Sequence, residues 1–282
     1  MCLIAFALHA DPACPLLIAA NRDESFERPT AALHRWALPD GGEVLGGRDL
    51  REGGTWLGLN AQGRVAMLTN VRQLPLGSGP RSRGELVTRW LQGDGDVDQL
   101  AEGLDPAAYS GFNLVVGDFH RRQWTWLSNR QPDTAHGAAE MPMLHRQTLA
   151  PGVYGLSNAS LDTPWPKTQR LKQALHDSLR RLDAADQAWQ QPLTRSLADR
   201  SAAPDAELPH TGVPDDLERA LSSPFVHMPG RGYGTRSSLL VRTRPAEGGA
   251  GWQVEMDEWT HSANDAGVAL AGAAARHESL RW

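Results

Sequence analysis

MCLIAFALHADPACPLLIAANRDES, residues 1–25, contains two apolar runs separated by a short break. The runs are 3–9 (LIAFALH) and 16–20 (LLIAA), and two prolines in the break, Pro12 and Pro15, stop a helix from forming there. Two short apolar runs joined by turn residues predict a β-hairpin. The second run ends in four polar residues: Asn21, Arg22, Asp23 and Glu24.

The hairpin brings its first cysteine close to this polar tip. A turn centred near Pro12 and Ala13 places Cys2 opposite Asp23, with Arg22 and Glu24 as the neighbours. A slip of one residue would change which of these side chains shares a face with the cysteine. In either register, Cys2 and the NRDE tip lie at the same end of the hairpin.

The position of Cys2 predicts a nucleophile. Initiator methionine is commonly removed when the second residue is small, and removal of Met1 would leave a thiol and a free α-amine on one residue. An α-amine has a pKa of about 7.7–8.0 and a thiol about 8.5, so the amine can accept the thiol proton near neutral pH. We expect Asp23 to hold the ammonium form and Arg22 to favour the thiolate.

Two simpler interpretations compete with this one. A cysteine near a terminus is more often inert than catalytic, and NRDE alone is compatible with a solvated strand end or a cluster of ion pairs. The combination of the two at one hairpin end favours a functional site. Cys14 lies in the turn between alanine and proline, and we assign it no role.

Composition excludes several classes of protein. The chain has 282 residues, of which 40% are hydrophobic and 22% charged, and a net charge of -5. A weakly acidic chain lacks the basic surface that nucleic acid requires. No apolar stretch approaches the roughly 18–20 residues of a transmembrane segment, and the N-terminus has no basic region typical of a signal peptide. We therefore expect a cytoplasmic protein without a transmembrane segment, and two cysteines are too few for a disulfide framework.

The rest of the chain predicts alternating hairpins and helices. Further hairpins are predicted at 57–70, 112–128 and 238–259, and helices near 83–92, 165–181 and 214–221. Ser82 and Glu85 have the spacing of a capping box for the first helix, and Thr163-Pro164 has the form of a helix start for the second. Residues 130–150 are predicted to be a surface excursion and 261–282 a variable tail. The fold class is α+β, a layered αββα sandwich of two mainly antiparallel sheets in one domain, 1–282.

Several short motifs resemble those of a known family. They are MCLI at the start, NRDE, GGTWLG (53–58), TNVR (69–72), SRGELV (82–87), YGLSN (154–158), LDTPWPK (161–167) and YGTRSS (233–238). The chain resembles the NRDE-motif family, also called the transport and Golgi organisation protein 2 family, over residues 1 to about 240.

The resemblance implies a fold similar to the N-terminal nucleophile hydrolases. By analogy with the N-terminal cysteine amidases of that fold, Cys2 is the expected nucleophile, and Arg22 and Asp23 orient its thiol and amine. Asn70 and Asn158 are expected to donate to an oxyanion and Arg236 to complete the charge balance. The resemblance further suggests that the site is lined by Asn21, Glu24, Trp56 and Trp165.

Two functions follow from the resemblance. The first is hydrolysis of a non-peptide amide or a related acyl bond in a small molecule, which needs no cofactor or metal. The second is a carrier or chaperone for haem or a lipid on the same fold without catalysis, because the family is associated with haem and lipid handling. No spaced haem-binding motif or paired metal ligands appear in the sequence, so no haem ligand is assigned.

Overall fold

The computed structural model describes residues 2–72, 79–130, 143–182, 188–264 and 276–282. Within them the chain divides into two compact units. The first unit comprises Met1–Glu27, Pro151–Ser157 and Asp162–Arg281, and the second comprises Arg28–Ala150, Asn158–Leu161 and Trp282. The single domain expected from the sequence stays a prediction.

The first unit and the second contain one large β-sheet each. In chain order the strands are β1 (Cys2–Leu8), β2 (Leu16–Ser25), β3 (Thr30–Ala37), β4 (Glu43–Asp49), β5 (Leu57–Leu59), β6 (Arg64–Asn70), β7 (Phe112–Asp118), β8 (Gln123–Ser128), β9 (His145–Thr148), β10 (Gly152–Leu156), β11 (His227–Met228), β12 (Tyr233–Pro245), β13 (Trp252–Thr260) and β14 (Arg276–Arg281). The α-helices are α1 (Gly84–Gln92), α2 (Val97–Glu102), α3 (Pro166–Leu179), α4 (Gln190–Leu197) and α5 (Asp215–Ala220).

The sheet of the first unit has the strand order β10-β1-β2-β12-β13-β14, and β11 pairs with β12. One face of this sheet packs against α3 and α4, where Leu3 and Ala5 of β1 share a core with Leu171 and Leu193. Side chains alternate between the two faces of a strand. Cys2, which precedes Leu3, therefore projects from the face opposite to the helices.

The sheet of the second unit is an antiparallel meander that follows chain order from β3 to β9. Helix α1 covers one face of it, and the indole N–H of Trp90 donates to the carbonyl of Gly117 at 3.1 Å. The side chains of α1 that are buried recur at three- and four-residue spacing, which gives the helix one apolar face: Leu86, Val87, Trp90 and Leu91.

The α+β class and the two mainly antiparallel sheets are confirmed. The four predicted hairpins correspond to β1–β2, β5–β6, β7–β8 and β12–β13, each antiparallel. The three predicted helices correspond to α1, α3 and α5. The apolar runs and turn residues therefore located the hairpins correctly, and the helix signals located the three helices.

The predicted helix starts are wrong in detail. Arg83 occupies the N-cap position of α1 without a side-chain capping bond, so Ser82 and Glu85 do not form a capping box. Glu85 instead accepts a hydrogen bond from the Tyr109 hydroxyl, which competes for the carboxylate. Helix α3 begins at Pro166, not at Thr163-Pro164, because the second proline of TPWP takes the first helical turn.

Five of the described strands were not predicted from the sequence, among them the two-residue strand β11. Strands β3 and β4 lie in a stretch interpreted only as loop-rich, and β9 lies within the predicted surface excursion. Strand β14 lies within the predicted variable tail and pairs with β13. Residues 131–142 of the excursion and 265–275 of the tail lie outside the described residues.

The sequence predicts no transmembrane segment, and the structure allows this to be examined for the helices. In the parts of the chain that the structure describes, no helix has the length and apolar character needed to cross a bilayer.

Candidate active site

The NRDE segment lies at the end of β2, and its four side chains alternate between two faces. Asn21 pairs across the ladder with Leu3, whose side chain faces α3 and α4, so Asn21 faces the helices as well. Arg22 pairs with Cys2 on the opposite face. By the same alternation Asp23 returns to the helix face and Glu24 to the face of Cys2.

This register corrects the sequence-based pairing. Cys2 lies opposite Arg22 and not opposite Asp23. The ladder also pairs Leu8 with Leu16, so the turn is centred on Pro12 rather than between Pro12 and Ala13. The shift of one residue gives the thiol a guanidinium as its cross-strand neighbour in place of a carboxylate.

Cys2 is a buried, free thiol at the start of β1, with 9% of its surface exposed. Its carbonyl oxygen accepts a hydrogen bond from Ser157 Oγ at 3.1 Å, which ties β1 to the end of β10. Burial raises the pKa of the Cys2 thiol, and the negative charge of Asp23 raises that pKa further. The positive charge of Arg22 and the backbone N–H of Asp23 lower it. The thiol therefore needs a nearby proton acceptor to become a nucleophile.

Arg22 and Glu24 lie on the face of Cys2, and Arg236 lies within electrostatic range of both. Arg22, which is 5% exposed, forms an ion pair with Glu24 at 3.7 Å. Arg236 occupies a β-bulge in β12, between Thr235 and Ser237. Burial lowers the pKa of Arg236, and the charge of Arg22 lowers it further while Glu24 raises it. Bulges re-aim side chains beside functional sites, and this one places a second cation within electrostatic range of Arg22.

The guanidinium of Arg236 is held by backbone oxygens. One of its nitrogens, Nη1, donates to the carbonyls of Ser25 at 2.7 Å and Phe26 at 3.1 Å. Its charged group also lies 5.9 Å from the Phe26 ring. These contacts fix the guanidinium just beyond the end of β2. Its expected role of completing the charge balance of the site stays a prediction.

Asp23 is 2% exposed and anchored to β12. One of its carboxylate oxygens accepts a hydrogen bond from Thr235 Oγ1 at 2.7 Å, and its carbonyl accepts one from the Tyr233 hydroxyl at 3.1 Å. Thr235 Oγ1 in turn accepts from the backbone N–H of Val226 at 2.9 Å. Asp23 therefore joins β2 to β12 and to the segment before β11. Its predicted role of holding an ammonium group stays a prediction.

Asn70 and Asn158 lie together in the second unit. Asn158 Nδ2 donates to Asn70 Oδ1 at 3.0 Å and to the Asn70 carbonyl at 3.1 Å. The Asn158 carbonyl accepts from the backbone N–H of Arg72 at 2.7 Å. The structure thus brings the two predicted oxyanion donors together. That they lie close to the thiol of Cys2 stays a prediction.

Among the four residues predicted to line the pocket, Asn21 has a different role. Its amide donates to the carbonyls of Leu197 at 2.8 Å and Pro224 at 2.9 Å, on the helix face of the sheet. Glu24 lies on the face of Cys2 with Arg22, as described above. Only Glu24 of this pair is therefore placed to line a site around the thiol.

The two predicted pocket tryptophans also have structural contacts. A β-carbon added at Gly47 would come within 2.2 Å of the Trp56 ring, so the glycine makes room for that ring. Trp165 occupies the N-cap position of α3 and lies 6.0 Å from the ammonium of Lys167. That buried ammonium donates to the Leu221 carbonyl at 2.9 Å. The pocket-lining role of both tryptophans stays a prediction.

Sequence reasoning missed three residues of this region. Ser157 and Thr235 lie within the YGLSN and YGTRSS motifs, which gave a signal for the segments but not for these side chains. His261 follows β13 and contacts Ser238 at 3.0 Å, and nothing in the local sequence marks it.

Among the described residues, no group of three or more histidines, cysteines or carboxylates is arranged to hold a metal ion.

Two solved structures are similar to this chain at low TM-scores. A Caenorhabditis elegans ortholog of N-acylethanolamine-hydrolyzing acid amidase has a TM-score of 0.44 and 10% identity, covering 68% of this chain and 85% of that one. The C2A mutant of conjugated bile acid hydrolase from Clostridium perfringens has a TM-score of 0.41 and 9% identity, covering 100% and 97%. Likenesses of this size do not bear on the activity of the chain.

Sequence comparison gives a firmer result. The model of the family described as Transport and Golgi organisation 2 matches residues 1–249. The Transport and Golgi organization protein 2 homolog of Homo sapiens is 34% identical over 261 residues, which cover 86% of this chain and 88% of the relative. Transport and Golgi organization protein 2 of Drosophila melanogaster is 29% identical over 257 residues, with 86% and 87% covered. The chain belongs to the Transport and Golgi organisation 2 family.

Proposed function

We propose that the mature protein begins at Cys2 and hydrolyses a non-peptide amide or a related acyl bond in a small molecule. The observation that carries this proposal is the pairing of Cys2 with Arg22 on one face of the sheet, with Glu24 beside them. A guanidinium next to a buried thiol stabilises the thiolate, so such a thiol loses its proton more readily than a buried thiol without a cationic neighbour.

The charges on this face support a nucleophilic thiolate. Arg22 and Arg236 contribute two positive charges and Glu24 one negative charge, within electrostatic range of one another. The carboxylate of Asp23, on the other face of the sheet, adds a second negative charge, which raises the pKa of the Cys2 thiol. Arg22 and the backbone N–H of Asp23 lower the pKa of the thiol against burial, which raises it, so deprotonation of Cys2 also needs a proton acceptor.

The proton acceptor comes from the same residue. Removal of Met1 frees the α-amine of Cys2, whose ordinary pKa of about 7.7–8.0 suits a general base near neutral pH. The thiolate attacks the acyl carbon, a carbon–sulfur bond forms, and the carbon–nitrogen bond breaks as the ammonium returns its proton to the leaving amine. Water then hydrolyses the thioester to a carboxylic acid and restores the thiol.

The remaining predicted roles belong to this proposal. Asn70 and Asn158 donate to the oxyanion, which requires that their pair approach Cys2. Asp23 holds the ammonium form of the α-amine. The reaction takes place in the cytoplasm without a cofactor, and the two free thiols, Cys2 and Cys14, fit a reducing compartment.

The experiment compares the two cysteines of the chain. Purified protein is first examined by intact mass for removal of Met1, and then treated with a fatty-acyl p-nitrophenyl ester. Acylated peptides are identified by mass spectrometry in wild type, Cys2→Ser and Cys14→Ser. Cys14 is a matched control because it is also buried, and burial raises the pKa of its thiol to about 11.

We expect acylation of the N-terminal peptide in wild type and in Cys14→Ser, and its loss in Cys2→Ser. Equal labelling of all three proteins would contradict the proposal. A wild-type protein that keeps Met1, resists acylation and binds haem or lipid tightly would also contradict it and would favour a carrier.

A further inference from the structure

A buried chain of polar side chains crosses the helix face of the first unit directly behind Arg22. Asn21, Ser238 and His261 are 1%, 0% and 6% exposed. Ser238 Oγ lies 2.6 Å from Asn21 Oδ1 and 3.0 Å from His261 Nε2. The backbone N–H of His261 donates to the carbonyl of Arg236 at 2.8 Å. The chain of contacts therefore runs from the NRDE segment to the bulge of β12.

The direction of every hydrogen bond in this chain is fixed by chemistry. The amide nitrogen of Asn21 faces the carbonyls of Leu197 and Pro224, which only accept, so its oxygen must face Ser238. An amide oxygen only accepts, so the Ser238 hydroxyl must donate to it. Because the only hydrogen of the hydroxyl is used in that bond, His261 must donate to Ser238 Oγ from Nε2.

This chain determines which face Arg22 occupies. Asn21 is held to the end of α4 through Leu197 and to the segment before β11 through Pro224, at 2.8 and 2.9 Å. Its neighbour Arg22 is thereby forced to the other face, where Cys2 lies. A slip of β2 by one residue would bury the guanidinium against the helices and leave both carbonyls without their donor.

We propose that Asn21, Ser238 and His261 form a directed hydrogen-bond chain that positions Arg22 opposite Cys2, with His261 protonated on Nε2. The three are positioning residues, since they act through Arg22. The catalytic consequence of this inference rests on the proposed function, whereas the placement of Arg22 does not.

The experiment measures the thiol pKa of Cys2 in a Cys14→Ser background, where Cys2 is the only thiol. The rate of alkylation by iodoacetamide is followed against pH in the parent, Arg22→Gln, Ser238→Ala and the double variant. Arg22 lowers the pKa of this thiol, so its loss should raise the pKa. Because less of the thiol is then ionised, alkylation below that pKa should slow by about threefold to tenfold.

We expect Ser238→Ala to slow alkylation in the same direction as Arg22→Gln and to have no further effect in the double variant. Such non-additivity is the sign of two residues acting through one path. Ser178→Ala is the matched control, because Ser178 is also 0% exposed and its hydroxyl donates to the Trp189 carbonyl at 2.6 Å. It should destabilise the fold similarly and leave the thiol pKa unchanged.

Three results would overturn the inference. They are an unchanged thiol pKa in Ser238→Ala, effects of Arg22→Gln and Ser238→Ala that simply add, and an equal change in Ser178→Ala. If Ser238→Ala does not fold, His261→Gln, which keeps a donor nitrogen, and His261→Leu, which does not, replace it, and only the second should raise the pKa.

A spectroscopic measurement tests the hydrogen-bond direction separately. The ¹⁵N spectrum of the His261 ring should show the proton on Nε2, and a ring protonated only on Nδ1 would refute the chain. Alkylation by iodoacetamide requires no hydrolysis. The inference can therefore fail while acylation of Cys2 succeeds, and it can hold in a protein that does not acylate.

Discussion

Replacing Gly54 by alanine should destabilise the fold strongly, because backbone atoms surround its α-carbon. A β-carbon at this position would lie 2.5 Å from the carbonyl carbon of Gly84, 2.6 Å from its oxygen and 3.0 Å from the nitrogen of Glu85. Gly84 is the first residue of α1, so the clash is relieved only if the start of the helix moves. The helix is fixed by buried Leu86 and Trp90. Overpacking a core costs about 1–3 kcal/mol, and we expect a loss of about 3 kcal/mol here.

Two neighbouring glycines serve as controls for this substitution. A β-carbon on Gly84 would approach the Thr55 carbonyl oxygen at 3.2 Å, a contact that a small adjustment relieves. Since alanine also favours the helix, Gly84→Ala should cost less than about 1 kcal/mol. Gly53 has open space around it but a φ of +79°, so Gly53→Ala should cost about 1–2 kcal/mol through backbone strain.

The assay is equilibrium unfolding in urea, followed by tryptophan fluorescence, for the wild type and the three variants. The free energy of unfolding should fall least for Gly84→Ala, more for Gly53→Ala and most for Gly54→Ala. A Gly54→Ala protein within about 0.5 kcal/mol of wild type would refute the packing argument. So would a Gly84→Ala protein that is less stable than Gly54→Ala. The glycines of GGTWLG and SRGELV would then need another explanation.

Two further predictions concern charge and the oxyanion. Burial alone would raise the pKa of Asp49, but hydrogen bonds from the Arg28 side chain and from two backbone N–H groups hold it below its ordinary value. The ion pair therefore stabilises the fold above the unfolded pKa of about 3.9, and this stabilisation is lost as the pH falls through the lower folded pKa. Arg28→Gln should lower the free energy of unfolding by about 1 kcal/mol near pH 7 and by less near pH 3, measured by urea titration at both pH values. An equal loss at the two pH values would contradict the ion pair. Asn158→Ala should slow acylation of Cys2 by roughly 10²–10³ while alkylation of the same thiol by iodoacetamide is unchanged, and an acylation rate equal to that of wild type would remove Asn158 from the oxyanion site.

Local pattern was sufficient for the elements that contain strong alternation or helical spacing. The first hairpin was predicted at 3–20 because two apolar runs flank a break that contains two prolines. Helix α3 was predicted because its apolar residues recur near helical spacing, whereas α1 was predicted from a capping box that does not form. Strand β14 (Arg276–Arg281, RHESLR) has neither signal and is a strand because its backbone pairs with β13.

The sequence by itself determined that Cys2 and the NRDE tip meet at one end of a hairpin, because two strands joined by a short turn must run back along each other. It also contained the motifs that identify the family. It did not determine the register, since a turn centred on Pro12 or between Pro12 and Ala13 satisfies the same local pattern.

Tertiary structure decided the register and, with it, the face on which each charge lies. The apolar side chains of Leu3 and Leu17 must face α3 and α4 together, and the amide of Asn21 finds its partners, Leu197 and Pro224, only on that side. These partners lie about two hundred positions away in the sequence, with separations of 176 and 203 residues. Burial of apolar surface and the cost of an unsatisfied buried amide therefore place Arg22, and not Asp23, beside the thiol of Cys2.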